Sequence, residues 1–232
     1  MIENETLIQL AENRDLSNDN RFAEILASEM NNYYIGKSVY IPENEIIKII
    51  GKSELDDEIT LMPYQLLLLK EIENNQNVVV SAPTSFGKSF LVLEFLKRNT
   101  IKFNKVVYVV YTKSLKDEIY SKLKKLFSES YYVTDDIEEL KNFDRYIITL
   151  ISDGQNSLEY DIDLDLLIAD EAYNLSKIHS KRRYFCIMQT YRKLLSNSPK
   201  TILLGPFINN IMGENSDNFK LIKTDYSPVT QK

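Results

Sequence analysis

The run Val78-Val79-Val80-Ser81-Ala82-Pro83-Thr84-Ser85-Phe86-Gly87-Lys88-Ser89 constrains this chain more than any other stretch of its 232 residues. Its three consecutive valines read as a short strand buried on both faces, because apolar residues follow one another instead of alternating with polar ones. A loop of small residues follows, and the apolar periodicity of Phe90–Arg98 then reads as a helix. Strand, tight loop and helix N-terminus together make an anion site, since the loop amides and the first N–H groups of the helix converge on one spot. Gly-Lys-Ser at the end of the loop suits a phosphate chain there. Lys88 would reach the β- and γ-phosphates, Ser89 would hold Mg²⁺, and Gly87 lets the backbone come close. Where such loops usually carry their first glycine this chain has Ala82, so the strand before and the helix after carry the reading.

A second run supports it. Leu164-Asp165-Leu166-Leu167-Ile168-Ala169 is another apolar strand, and it ends in Asp170-Glu171-Ala172-Tyr173. In an open parallel sheet, ligands bind outside the C-terminal ends of the strands, which is where these two carboxylates fall. Asp170 would orient Mg²⁺, and Glu171 would polarise an attacking water as general base.

Between and around these runs, strands alternate with helices. A helix over Pro63 to about Glu73 precedes the loop. Apolar runs at Val106–Tyr111, Tyr146–Leu150, Leu164–Ala169 and Thr201–Leu204 are separated by helical stretches at Leu115–Phe127 and about Arg183–Leu195. That alternation predicts an α/β fold: a mostly parallel sheet covered by helices on both faces. Residues 1–58 read as a helical N-terminal extension, with Phe22, Ile25, Leu26 and Met30 at helical spacing.

Composition adds limits. A net charge of −6 excludes a generally basic nucleic-acid binder, so such contacts must come from local clusters. The candidates are Lys97–Arg98–Lys102–Lys105, Lys122–Lys124–Lys125 and Lys181–Arg182–Arg183, each of which also reads as a solvated helix end or loop. The lone Cys186 excludes an internal disulfide. With no signal-like N-terminus and no long apolar run, a cytoplasmic protein without membrane segments is expected.

The Ala82–Ser89 loop resembles motif I of superfamily 2 helicases, where Ala-Pro-Thr before Gly-Lys is habitual. Asp170-Glu171-Ala172-Tyr173 resembles their motif II, the DEAD/DEAH-type box, with Tyr in last place. The resemblance covers about Ile59 to Phe207 and implies a three-layer RecA-like P-loop NTPase domain, spanning 59–225, that binds ATP and Mg²⁺. Pro63-Tyr64-Gln65 looks like the element whose glutamine reads adenine, which gives Gln65 that role. Pro83, Thr84, Ser85, Phe86, Gly87, Lys88 and Ser89 are then the nucleotide contacts. Tyr111-Thr112-Lys113-Ser114-Leu115 resembles motif Ia, so Thr112, Lys113 and Ser114 are expected to grip the backbone of DNA or RNA. Thr149 falls where motif Ib contacts are expected. Gly205, Pro206 and Phe207 occupy the place of motif III, which couples hydrolysis to domain movement.

Three departures from the family pattern stand out. Ser85-Phe86 replaces the frequent Gly-Ser, which predicts a bulkier loop. Gly205-Pro206-Phe207 replaces Ser-Ala-Thr, which removes the hydroxyls of that motif. The second RecA-like domain, with its arginine finger, is expected elsewhere in a longer protein, with 226–232 starting the linker to it. Because such a finger is worth ~10³–10⁵ in turnover, the domain alone should hydrolyse ATP poorly.

Two rivals remain at this stage. A transporter-type or AAA-type ATPase would need a signature motif that the sequence lacks. A degenerate P-loop domain that binds a partner or nucleic acid without turnover is favoured only by the altered motif III. A bacterial DNA-processing or phage-defence helicase would suit the departures. Other features read as bland. Asp161, Asp163 and Asp165 look like solvent-facing positions leading into a strand, His179 lies in a polar loop, and Tyr131-Tyr132 looks like packing more than a base-stacking platform.

Overall fold

The computed structural model describes residues 51–152, 162–173, 189, 191–210 and 216–224. The expected helices of residues 1–50, together with Asp161, His179, Cys186 and the Lys181–Arg183 cluster, lie outside the described residues. The chain divides into two compact units, Met1–Lys70 and Glu71–Lys232.

In the first unit an antiparallel bridge pairs Lys52 with Thr60. The chain then enters helix α1, Pro63–Asn74, which continues into the second unit. Proline suits the first helical position, where its missing N–H costs nothing and its φ is already helical. Three positions past Met62, Gln65 turns its Oε1 back to accept the Met62 N–H at 2.9 Å, half of a capping box.

Among the described residues the second unit carries seven strands: β1 (Asn77–Ser81), β2 (Lys105–Val110), β3 (Tyr132–Thr134), β4 (Tyr146–Ile151), β5 (Leu166–Ala169), β6 (Lys200–Gly205) and β7 (Lys220–Lys223). They form one sheet in the order β3-β4-β2-β5-β6-β1-β7, and every pairing is parallel. Helix α2 (Lys88–Arg98) follows β1, and α3 (Lys113–Phe127) follows β2.

Each crossover has to return the chain to the same end of the sheet, so every strand tip with its following loop opens on one edge. The central strands are buried on both faces. Val107, Val109, Ile148, Leu150, Leu167 and Ala169 join one core cluster, with Tyr191 and Leu194 packed on it. Their alternating neighbours Val106, Tyr108, Ile147, Leu166 and Ile168 are as completely buried on the opposite face. Ile119, Leu123 and Phe127 of α3 lie outside that cluster, on a helix that packs against β2, β3 and β4. This is the three-layer α/β arrangement that the strand–helix alternation predicts.

Several boundaries and two strands differ from the sequence reading. Helix α2 begins at Lys88 and α3 at Lys113, each two residues before its apolar periodicity starts. Thr112 explains the second: in an extended conformation it caps α3, its Oγ1 accepting the Leu115 N–H at 3.3 Å. Asp163 and Asp165 lead into β5 as expected, Asp163 exposed and Asp165 partly so. The strand starts at Leu166, and Asp165 accepts the N–H groups of Asn104 and Lys105, while Asp163 pairs with Lys105. Strands β3 and β7 have no counterpart in the apolar pattern. Tyr131 is buried and its hydroxyl donates to the Phe103 carbonyl, and Tyr132 stacks on Phe143 at 3.6 Å, so both are packing residues.

Candidate active site

The phosphate-type loop hangs between β1 and α2. After Ser81 the chain makes one 3-10 turn, Thr84–Phe86, and enters α2 through Gly87. Gly87 sits at φ 80°, ψ 33°, in the left-handed region. A Cβ there would be strained, so glycine is the residue this junction requires. Helix α2 carries no acidic residue in its first turn, which leaves its positive end unopposed for an anion.

Thr84 and Ser85 are exposed on the loop. Phe86 is not: only 1% of it is accessible, and its N–H donates to the Pro83 carbonyl. The bulkier loop expected from Ser85-Phe86 is therefore not realised on the ligand side, because the ring is used as core. The Phe86 ring is buried in the core and is not presented at the loop surface.

Lys88 lies beneath the loop. It is 8% exposed, and its Nζ donates to the carbonyls of Ala82 at 2.7 Å and Pro83 at 2.9 Å. Burial lowers its pKa from the ordinary lysine value, while the charges of Asp170 and Glu171 oppose that shift. The ammonium is thus poised where a phosphate chain would take the place of two neutral carbonyls.

Asp170 stands at the tip of β5, its N–H donating to Val109 on β2. Ser89, 81 residues earlier, donates its hydroxyl to Asp170 Oδ2 at 2.7 Å. The other oxygen, Oδ1, accepts the Glu171 N–H at 2.8 Å. A hydroxyl and a carboxylate side by side are the oxygen donors that a small hard cation takes, with phosphate oxygens and water completing its shell. By the chemistry of its oxygens, the Ser89–Asp170 pair would suit Mg²⁺. Glu171 follows with φ 52°, a left-handed conformation uncommon for a residue with a Cβ.

The segment after β6 is stitched to the loop. The Gly205 carbonyl accepts the Ala82 N–H at 3.2 Å, and the Ser81 hydroxyl accepts the Ile208 N–H at 2.9 Å. Gly205 is needed for close approach: a Cβ there would lie 2.8 Å from Ile208 Cδ1 and 3.2 Å from Tyr173 Cδ1. Pro206 is partly buried. Phe207 is 82% exposed and, like Glu171, has a positive φ, 54°.

Thr112, Lys113 and Ser114 are exposed at the tip of β2 and the start of α3. Thr149 differs from the sequence expectation. It lies inside β4, is 0% exposed, and its Oγ1 has no hydrogen-bond partner. A central strand of a parallel sheet presents no side chain to solvent, so Thr149 is not a surface contact for nucleic acid. The basic clusters are partly spent on neighbours: Arg98 pairs with Glu94, Lys105 with Asp163 and Lys122 with Glu118. The residue that sequence reasoning missed is Tyr108, whose hydroxyl approaches Asp170. A lone phenol within the apolar Lys105–Val110 run was its only signal.

Residues 58–205 match the family described as "Type III restriction enzyme, res subunit" (ResIII). The chain belongs to that family. It therefore carries the RecA-like, ATP-using domain of a superfamily 2 helicase, the domain that the loop, the acidic pair and the parallel sheet describe.

Among curated relatives, this chain aligns with "Anti-bacteriophage protein B" of Escherichia coli (strain K12), 28% identical over 198 residues, covering 81% of this chain and 27% of that protein. The "ATP-dependent DNA helicase Hel308" of Thermoplasma acidophilum is 24% identical over 188 residues, covering 76% of this chain and 28% of that protein. The chain thus spans about a quarter of the length of the curated relatives it matches. In fold it resembles the "Sulfolobus solfataricus SWI2/SNF2 ATPase core in complex with dsDNA", with a TM-score of 0.50 at 17% identity over 65% of this chain and 32% of that one. No helix among the described residues is long and apolar enough to cross a membrane.

Proposed function

We propose that this ResIII domain binds Mg-ATP at the β1–α2 loop and, within a longer protein, hydrolyses it to drive movement along DNA. The observation that carries the reading is the Ser89–Asp170 hydrogen bond. It joins a phosphate-loop hydroxyl to a strand-tip carboxylate across 81 residues of chain, at the mouth of the loop where Lys88 is buried.

Each residue has a role in that reading. Pro83, Thr84, Ser85 and Gly87 shape the loop around the phosphates, with Phe86 anchoring it from below. Lys88 leaves the Ala82 and Pro83 carbonyls for the β- and γ-phosphates. Ser89 and Asp170 would hold Mg²⁺, which when bound would supply charge neutralisation for the phosphates. Glu171 orients and deprotonates the attacking water. Gln65 reads the adenine edge through its amide. Thr112, Lys113 and Ser114 hold the sugar-phosphate backbone, aided by the N-terminus of α3. Gly205, Pro206 and Phe207 link the loop and the acidic pair to a second RecA-like domain that brings the arginine finger.

DNA is favoured over RNA because the matched helicase and the fold neighbour are named for DNA. The family name and the anti-bacteriophage relative favour a role against foreign DNA. The test is ATP turnover by the longer protein with and without DNA, for wild type and Glu171→Gln. DNA-stimulated turnover that Glu171→Gln abolishes while ATP binding persists supports the reading. Unchanged turnover in Glu171→Gln would remove the general-base role. Nucleotide binding without any DNA-dependent turnover would favour a non-catalytic binding module instead.

A further inference from the structure

Tyr108 is one of the largest side chains in the protein with no solvent exposure at all. It lies in β2, beside Ile168 of β5 on one flank and Thr149 of β4 on the other. All three share a face of the sheet, because parallel neighbours in register point the same way. From that face the phenol reaches the strand tip, where its hydroxyl lies 3.4 Å from Asp170 Oδ2.

The same oxygen accepts the Ser89 hydroxyl at 2.7 Å, and the second oxygen accepts the Glu171 N–H at 2.8 Å. Asp170 is therefore held from three directions: by α2 through Ser89, by its own backbone through Glu171, and by the sheet interior through Tyr108. Only the third donor comes from outside the two runs that carry the nucleotide chemistry.

A packing role alone does not need this hydroxyl. A phenylalanine would fill the same core volume without bringing a polar group into an apolar layer, where a hydroxyl is costly unless it is bonded. The hydroxyl donates to the Asp170 carboxylate at 3.4 Å, which accounts for a phenol at this buried position. Groups that orient a metal-binding carboxylate set its affinity without touching the metal.

We propose that Tyr108 is a positioning residue that fixes the Asp170 carboxylate for Mg²⁺ binding with the nucleotide, an inference that rests on the Mg-ATP reading of the same site. It acts through Asp170 and touches neither nucleotide nor water.

Tyr108→Phe removes the hydroxyl and keeps the ring. The experiment titrates a fluorescent ADP analogue into this chain, first in EDTA and then at increasing Mg²⁺, and follows thermal unfolding in parallel. In EDTA the variant should bind the analogue as wild type does. The Mg²⁺ concentration for half-maximal enhancement should rise about threefold to tenfold, the scale of one weak hydrogen bond to a carboxylate. A merely structural role would change the unfolding temperature and leave the Mg²⁺ midpoint where it is, and that outcome overturns the proposal. Should Tyr108→Phe fail to fold, 3-fluorotyrosine at position 108, which keeps the ring and makes the hydroxyl a stronger donor, must lower the Mg²⁺ midpoint, and a midpoint equal to wild type overturns it. If wild type itself shows no Mg²⁺-dependent binding, the Mg-ATP reading fails and this proposal with it.

Discussion

The Ser89 hydroxyl donates to Asp170 Oδ2 at 2.7 Å, joining the first turn of α2 to the tip of β5. The two residues follow strands that are not neighbours, since β6 lies between β1 and β5 in the sheet. Parallel topology brings them to the same edge, and the pair is the oxygen set around which the ATP chemistry is read. Ser89→Ala should lower Mg²⁺-dependent nucleotide affinity by about tenfold or more, while binding in EDTA changes little. Fluorescent-nucleotide titrations with and without Mg²⁺ check this, and an equal loss in both conditions would mean that Ser89 acts on the loop and not on the cation.

Gly205 packs where a side chain does not fit. Gly205→Ala would set a Cβ 2.8 Å from Ile208 Cδ1 and 3.2 Å from Tyr173 Cδ1. Overpacking of this kind costs about 1–3 kcal/mol, which a shift in the denaturation midpoint measures. Because the nearest atom is the end of a flexible side chain, Ile208→Val in the same chain should recover part of the loss. Absence of any recovery would place the strain on Tyr173.

Lys200 gives a pH dependence. It opens β6, is 8% exposed, and its Nζ donates to the carbonyls of Ile72 and Asn75 at the end of α1, at 2.6 and 2.5 Å. Burial first, then the charge of Lys102, push its pKa down to about 8, against the pull of Glu73. In the unfolded chain it returns to about 10.5. Between these values the unfolded state binds more protons, so stability rises with pH through that window and the contribution is flat below it. The slope approaches about 1.4 kcal/mol for each pH unit. Unfolding temperatures of wild type and Lys200→Met between pH 7.5 and 10.5 test it: the stability of wild type relative to the variant should rise as pH rises, and a constant difference would contradict it.

Thr149 offers the converse test. Its buried hydroxyl has no partner, so Thr149→Val should hold or raise stability by up to about 1 kcal/mol and leave DNA binding unchanged. Thr112→Ala with Lys113→Ala should weaken single-strand binding and spare ATP affinity. If Thr149→Val were the variant that lost DNA binding, the buried position of Thr149 could not account for it.

These outcomes also mark what a sequence can carry. The loop and the acidic pair were legible because their chemistry lies in contiguous residues: a valine run, a left-handed glycine, Lys-Ser, and Asp-Glu after a second apolar run. The parallel α/β class was legible for the same reason, since strands buried on both faces are continuously apolar. β3 was not, because three residues are too short to show a period. Nor was β7, Lys220-Leu221-Ile222-Lys223, whose terminal lysines are exposed at the sheet edge. Phe86 was misread because Thr84 and Ser85 beside it are exposed on the loop while its own ring faces the core, and Thr149 because it lies within a strand buried on both faces, short of the strand tip. Tyr108 acquires its role only by standing 3.4 Å from a carboxylate 62 residues later.

Gln65 bears on nucleotide choice. If its amide reads adenine, Gln65→Ala should erode the preference for ATP over GTP by about tenfold, the scale of one lost hydrogen-bonded contact. Competition binding between the two nucleotides checks it, and an unchanged preference would remove Gln65 from the site.

The most direct test of the central claim is a Mg-ATP titration of this chain against its Lys88→Ala variant. The buried ammonium above the Ala82 and Pro83 carbonyls should be indispensable to phosphate binding, so wild type should bind with a saturable isotherm and the variant should lose most of that affinity. Equal binding by the two chains would contradict the account, because the nucleotide would then be held somewhere other than the β1–α2 loop.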